Sequence, residues 1–114
     1  MALLDKSKYT LEDEIQERLT AYIRRQYPHI IFTCNGLFNN KSLVERSVKM
    51  GYQVGIPDLF ILNHKLFIEL KSEKGKLSDK QIQCQLNISD IGYTVMTCYG
   101  YDEAKALIDE FEYK

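Results

Sequence analysis

Gly55-Ile56-Pro57-Asp58-Leu59-Phe60-Ile61-Leu62-Asn63-His64-Lys65-Leu66-Phe67-Ile68-Glu69-Leu70-Lys71 holds two apolar runs, Leu59 to Leu62 and Leu66 to Ile68, on either side of the polar Asn63-His64-Lys65. Runs of this length, with Pro57-Asp58 before them and Glu69 and Lys71 after, read as the strands of a β-hairpin. With Asn63-His64 as a two-residue loop, the register pairs Phe60 with Phe67 and Asp58 with Glu69. A four-residue loop keeps that register. Asn and His tolerate a positive φ better than most residues, which makes them the expected turn positions. Asp58 and Glu69 then stand opposite each other on one face, their Cβ atoms about 4.5–5.5 Å apart. Two such carboxylates repel, and a divalent cation with oxygen ligands is the simplest positive partner. Lys71 points to the same face as Glu69 by strand alternation and brings a mobile ammonium there.

Pro57-Asp58, a strand, and then Glu69-Leu70-Lys71 resemble the catalytic signature of the PD-(D/E)XK nuclease superfamily. Further residues fall in the same order: Glu12 with Ile15-Gln16 near the start, Gly51 and Gly55 before the Pro-Asp pair, and Gly75-Lys76-Leu77-Ser78 with Gln81 after the lysine. The set is similar to the VRR-NUC branch (virus-type replication-repair nucleases) over roughly residues 11 to 98. The resemblance implies a restriction-endonuclease-like α/β/α core, a mixed four-stranded sheet flanked by helices. It also implies a metal-dependent endonuclease acting on DNA. Asp58, Glu69 and the Leu70 carbonyl would hold Mg²⁺ or Mn²⁺, Glu12 would add a direct or water-mediated ligand, and Lys71 would orient water or stabilise developing charge. In the resembled fold Gln81 lies near Lys71, where it orients water or phosphate; as the partner in a helix capping box it has an equally good structural role.

Composition is compatible with that expectation. The chain has 114 residues, 45% of them hydrophobic, with eight Tyr and five Phe, enough for one core and little more. We therefore expect residues 1–114 to form a single nuclease-like domain, with residues 1–9 a flexible arm. Nothing approaches the ~18–20 apolar residues of a membrane span, and the N-terminus has no extended apolar region, so an intracellular setting, cytoplasmic or nuclear and without membrane attachment, is expected. The resemblance also admits a viral or phage source. Cys34, Cys84 and Cys98 lack metal or redox spacing and read as reduced, mostly buried thiols. Net charge is −1, but it is unevenly spread. Residues 102–114 carry five acids and two lysines, whereas residues 41–80 carry eight bases and five acids. Lys41, Arg46, Lys49, Lys74 and Lys76 are the candidate phosphate contacts, against the plainer reading of a solvated mixed-charge surface.

In order along the chain, Thr10 caps a helix running to about Tyr27, with acids in its first turn and Pro28 beyond its end. Its expected inward stripe is Leu11, Ile15, Leu19, Tyr22, Ile23 and Gln26, with Glu12 and Gln16 on the border. Ile30 to Cys34 reads as a strand, and Leu37 to Tyr52 as a loop holding a short helix, with Leu43, Val44 and Val48 inward. Ser78-Asp79-Lys80-Gln81 has the form of a capping box for a helix to about Ile91, with Ile82 and Leu86 inward and Cys84 and Ile88 as further candidates. Tyr93 to Cys98 is a further strand. Asp102 to Glu112 is a last helix with Ala106, Leu107 and Phe111 inward. The elements lack P-loop, H-E-x-x-H and G-x-S-x-G motifs. His29 and His64 stand alone in sequence, His64 as a turn residue. Four readings remain: a Holliday-junction-resolving homodimer, a flap or nicking endonuclease, a non-catalytic nucleic-acid-binding or assembly module on the same fold, and a globular domain whose Asp58/Glu69 pair only holds a structural ion or pairs with Lys71.

Overall fold

The structure, a computed structural model, describes residues 10–35 and 41–114. The expected arm at residues 1–9 lies outside them. Helix α1 (Leu11–Gln26) starts from a capping box in which the Thr10 hydroxyl accepts from the Asp13 amide and the Asp13 carboxylate accepts from the Thr10 amide. Strand β1 (Phe32–Cys34) is followed by α2 (Lys41–Lys49), then by the hairpin strands β2 (Leu59–Ile61) and β3 (Leu66–Lys71). Helix α3 (Asp79–Asp90), strand β4 (Thr94–Tyr99) and helix α4 (Tyr101–Glu112) complete the order. The sheet runs β1-β2-β3-β4; the first two pairings are antiparallel and β3 is parallel to β4, joined through α3. It is thus the mixed four-stranded α/β sheet with helices that the sequence predicts. No described helix is long and apolar enough to cross a membrane.

The hairpin has the expected register, with Phe60 opposite Phe67. Its loop is four residues, a 3₁₀ turn at Leu62–His64 closed by Lys65. The positive φ falls on Lys65, at 50°, and neither on Asn63 nor on His64 as expected. Asn63 instead anchors the turn, since its side chain accepts from the Ile31 amide at 2.7 Å and so ties the loop to the chain entering β1.

Alternation along β3 divides the sheet's two faces. Leu66, Ile68 and Leu70 join Leu59, Ile61, Leu19, Ile23 and Ile108 in one core beneath α1 and α4. Phe67, Glu69 and Lys71 point the other way, toward α3. There Phe60 and Phe67 stack with ring centroids 4.3 Å apart and Tyr93 meets both edge-on. Helix α1 is held to α4 by polar contacts as well: the Tyr22 and Tyr27 hydroxyls both donate to Asp109, at 2.5 and 2.6 Å. Burial pushes the Asp109 carboxyl up, but these bonds and Lys105 outweigh it and hold it below the ordinary carboxylate range.

Several inward assignments change. In α1, Leu11 is 66% exposed and Gln26 is exposed, while Gln16 and the cap residue Tyr27 are buried, because the face over the core is Gln16, Leu19, Ile23 and Tyr27 and the first turn lies beyond it. In α3, Ile82 and Leu86 are exposed and Ile88 is buried, because the face turned to the sheet is Gln81, Cys84, Gln85 and Ile88. In α4, Ala106 is exposed and Ala104 and Ile108 are buried beside Leu107, with Phe111 half-buried. In α2, Leu43 and Val44 are half-buried and Val48 is exposed. Of the cysteines, all free, Cys98 alone is buried; Cys84 is half-buried and Cys34 exposed.

The α4 correction is directly testable. Ala104→Leu should overpack the core and cost about 1–3 kcal/mol, whereas Ala106→Leu, which points to solvent, should cost under about 0.5 kcal/mol in urea titrations. Equal stability of the two variants would return the helix to the orientation expected from sequence.

Candidate active site

The hairpin register carries Asp58 to a place opposite Glu69, and the local chain holds it there. Pro57 is fully buried, and the Asp58 carbonyl accepts from the Asn35 amide at 2.9 Å. The Asn35 side chain donates in turn to the carbonyl of Ile56 at 3.0 Å. Asn35 therefore clamps the entry to β2 from β1. By sequence it reads only as the end of a strand, and its tertiary role has no local signal. Gly55, at φ 96°, brings this loop against the start of α3, where an added Cβ would lie 3.2 Å from the Lys80 carbonyl oxygen.

The Asp58 and Glu69 carboxyls lie close enough that each shifts the other's proton affinity. Asp58 Oδ2 also accepts from the Leu70 amide at 2.7 Å, which brings the Leu70 peptide beside the pair. Glu69 is only 3% exposed. Burial raises its proton affinity most, the bond and charge of Asp58 add to the effect, and Lys71 opposes it; the result is a carboxyl pushed up to about 9. Asp58 is also raised, again chiefly by burial. A proton shared between the buried Glu69 and the half-buried Asp58 would replace the repulsion that two carboxylates would suffer.

Lys71 is buried with its Nζ 4.0 Å from Glu69 Oε2. Gln81 fills the expected capping role and also reaches Glu69. Its Oε1 accepts from the Ser78 amide at 2.9 Å, closing the α3 capping box, and its Nε2 donates to Glu69 Oε2 at 3.4 Å. One side chain thus ties the first turn of α3 to the acidic pair.

Glu12 comes to the same strand end from α1, but its Oε2 accepts from the Ser72 amide at 3.3 Å. Its charge is felt by both Asp58 and Glu69. Among the described residues no group of three or more His, Cys, Asp or Glu is gathered closely enough to hold an ion, so Glu12 is not preassembled as a direct third ligand. Gly75 makes its approach possible: a Cβ there would lie 3.1 Å from Glu12 Oε2 and 3.2 Å from Lys71 Cβ. Of the basic candidates, Arg46 and Lys49 are exposed on α2, and Lys74 and Lys76 are exposed on the turn after Lys71. The Lys41 side chain lies outside the described residues.

His29 and His64 are not isolated. Both contact Glu112, at 2.6 and 2.5 Å, so the C-terminal end of α4 is tied to the α1–β1 connection and to the hairpin turn. Burial pushes the Glu112 carboxyl up, yet the two histidines outweigh it and the net direction is down. These residues lie at the turn end of the hairpin, away from Asp58 and Glu69.

The shared proton has a measurable consequence. The unfolded chain releases the Glu69 proton near its ordinary value of 4.5, whereas the folded chain keeps it to about 9. Between those values the folded state binds more protons, so metal-free stability should fall as pH rises across that window. Melting in EDTA from pH 5 to 9 should show the decline, and Glu69→Gln should flatten it while raising stability at pH 8. A wild-type profile that rises toward pH 9 would contradict the shared proton.

Comparison with known proteins joins the geometry to the sequence resemblance. Residues 12–102 match the VRR-NUC domain. No curated protein matches the chain. A solved structure described as a VRR_NUC domain protein shares the fold, with a TM-score of 0.71 at 21% identity, over 91% of this chain and 89% of that one. The family match spans Glu12, Asp58, Glu69, Lys71 and Gln81 together, and the chain belongs to the VRR-NUC domain family, a family of nuclease type.

Proposed function

We propose that the chain is a divalent-metal-dependent endodeoxyribonuclease that acts on branched DNA as a homodimer, in the manner of a Holliday-junction resolvase. The observation that carries the reading is the buried Glu69 with the half-buried Asp58 beside it and the Lys71 ammonium 4.0 Å from Glu69 Oε2. The donor set suits Mg²⁺ or Mn²⁺: two carboxyls and a backbone carbonyl are hard oxygen ligands, and so few protein ligands leave positions for water and phosphate, as Mg²⁺ prefers. Asp58, Glu69 and the Leu70 carbonyl would hold the ion, with Glu12 reaching it through water. Bound there, the metal would stabilise charge on the phosphate oxygens and lower the pKa of a ligated water.

The chain's own residues account for the rest. Glu69 gives up its shared proton when it becomes a ligand, so metal binding and deprotonation are linked. Gln81 fixes the orientation of Glu69, and Lys71 orients the attacking water or meets charge that develops on the phosphate. Lys41, Arg46, Lys49, Lys74 and Lys76 would contact the DNA backbone, which gives position rather than sequence preference.

Symmetric cutting of a junction needs two such centres, most simply from a twofold dimer. The apolar face of α4 does not offer that contact, because Leu107 and Ile108 are committed to the core. Exposed apolar residues that a second copy could cover include Ile82, Leu86 and Ile91 on and just after α3. This face carries Gln83 and Asn87 between its apolar residues in place of charge, which lowers the cost of covering it.

Asp58→Asn and Glu69→Gln should each abolish Mn²⁺-dependent cleavage of plasmid and four-way-junction DNA without loss of fold. Lys71→Ala should lower the rate by about 10²–10³-fold while calorimetry still finds the Mn²⁺ site. Cleavage at the wild-type rate by either carboxyl variant would remove the proposed centre.

On assembly, light scattering at micromolar concentration should report a dimer that Leu86→Glu converts to monomer, and nicks should map in symmetric pairs across the junction. A wild-type monomer nicking one strand of a flap would assign the chain to flap or nicking endonucleases instead. Binding without cleavage under any metal would point to the non-catalytic module.

A further inference from the structure

Beside the acidic pair, a cavity of about 490 Å³ opens between α1 and the residues that follow Lys71 and β4. One wall is the outer face of α1, with Leu11, Glu14, Ile15 and Arg18 at helical spacing; the other is formed by Ser72 to Lys74 and by Gly100-Tyr101 at the start of α4. Within it the Arg18 guanidinium lies over the Tyr101 ring, 4.0 Å from its centroid. The cavity adjoins the site through two bonds. The Ser72 amide in its wall donates to Glu12, and the Gly100 amide donates to the Lys71 carbonyl at 2.9 Å.

We propose that this cleft receives an unpaired nucleotide of the DNA substrate next to the cut phosphate, its base stacked on the Arg18–Tyr101 pair. The inference rests on the nuclease reading and adds to it what the enzyme recognises beside the bond it cuts. The volume is that of a small-ligand pocket and accommodates a base with its sugar. A planar guanidinium over an aromatic ring extends the platform on which a base stacks, and Leu11 and Ile15 supply apolar edges. Charge decides between a base and a backbone: Arg18 and Lys74 are balanced by Glu14 and Glu73, so a run of phosphates gains nothing inside while an uncharged base does. Lys74, exposed at the rim, is the contact for the phosphate that stays outside. The two carboxylates accept hydrogen bonds from exocyclic amines, which favours cytosine over thymine. A paired base cannot enter, so the cleft admits a nucleotide only where pairing is opened, as at the branch point of a junction, and a short flap presents such a nucleotide for the test.

The test reads binding without turnover. The whole chain in calcium buffer is titrated into fluorescein-labelled DNA carrying a short oligo-dC flap, and into the matching blunt duplex. Arg18→Ala, an exposed position, should weaken flap binding about tenfold and leave duplex binding nearly unchanged; Tyr101→Leu should do the same and Tyr101→Phe should not. An abasic nucleotide at the branch should weaken wild-type binding about as much, and with Arg18→Ala should add nothing further. An oligo-dT flap should bind more weakly than oligo-dC. Equal losses on flap and duplex would make Arg18 a phosphate contact and overturn the proposal, as would independent effects of the abasic nucleotide and Arg18→Ala. Free dCMP that competes at the oligonucleotide's own affinity would overturn it in favour of a free-nucleotide site. A chain that binds as expected yet cuts no DNA would remove the nuclease reading and leave the cleft standing.

Discussion

Two carboxyl groups forced face to face by a strand register, and kept from water, are the constraint around which this protein is built. In the metal-free protein Asp58 strengthens the hold of Glu69 on a proton, and the Leu70 amide and Gln81 bond to Asp58 and Glu69 respectively. Each partner arrives from a different place: the hairpin itself, the next turn of β3, and the capped start of α3. The arrangement fixes the donor positions before any ligand comes, which is what a site needs if it is to act without reorganising. Its cost in the metal-free protein is electrostatic, and the raised proton affinity of both acids is the measure of it.

That cost is sustained by the opposite face of the same strands. Leu66, Ile68 and Leu70 alternate with Phe67, Glu69 and Lys71, so the strand that carries the reactive groups is also the one most deeply set in the core. The α1–α4 layer behind it is fastened by Tyr22 and Tyr27 to Asp109, and by His29 and His64 to Glu112. The reactive end of the sheet, by contrast, is bordered by the exposed turn after Lys71, by α2 and by the Arg18–Tyr101 cleft. A rigid strand end with accessible surroundings is the division of labour expected where a scaffold positions chemistry and its loops meet the substrate.

Some of this was legible in the chain because it depends on short separations. Two apolar runs divided by three polar residues fix a hairpin, and a period of two then sets Phe60 against Phe67 and Asp58 against Glu69 whatever the rest of the fold does. The Thr10 cap and the Ser78–Gln81 capping box were readable for the same reason, since each lies within one turn of the chain; the structure adds the reciprocal bond from Asp13. The turn's left-handed residue was misassigned because a four-residue loop moves the strained position to Lys65, and composition alone does not select loop length.

Sequence by itself thus determined the hairpin, its register, the paired carboxyls with Lys71 on their face, and the order of helices and strands in a mixed sheet. Only the tertiary structure decided which side of each helix meets the core. Periodicity marks an apolar stripe but not how much of it another element covers, so Leu11, Ile82, Leu86 and Ala106 lie outside while Gln16 and Ala104 lie within. The structure alone also brought Asn35 under the Pro57 loop, Glu12 to the Ser72 amide, and two distant histidines to Glu112. Contacts between residues separated by tens of positions leave no periodic trace in the chain, and they form only when folding brings the elements that carry them together.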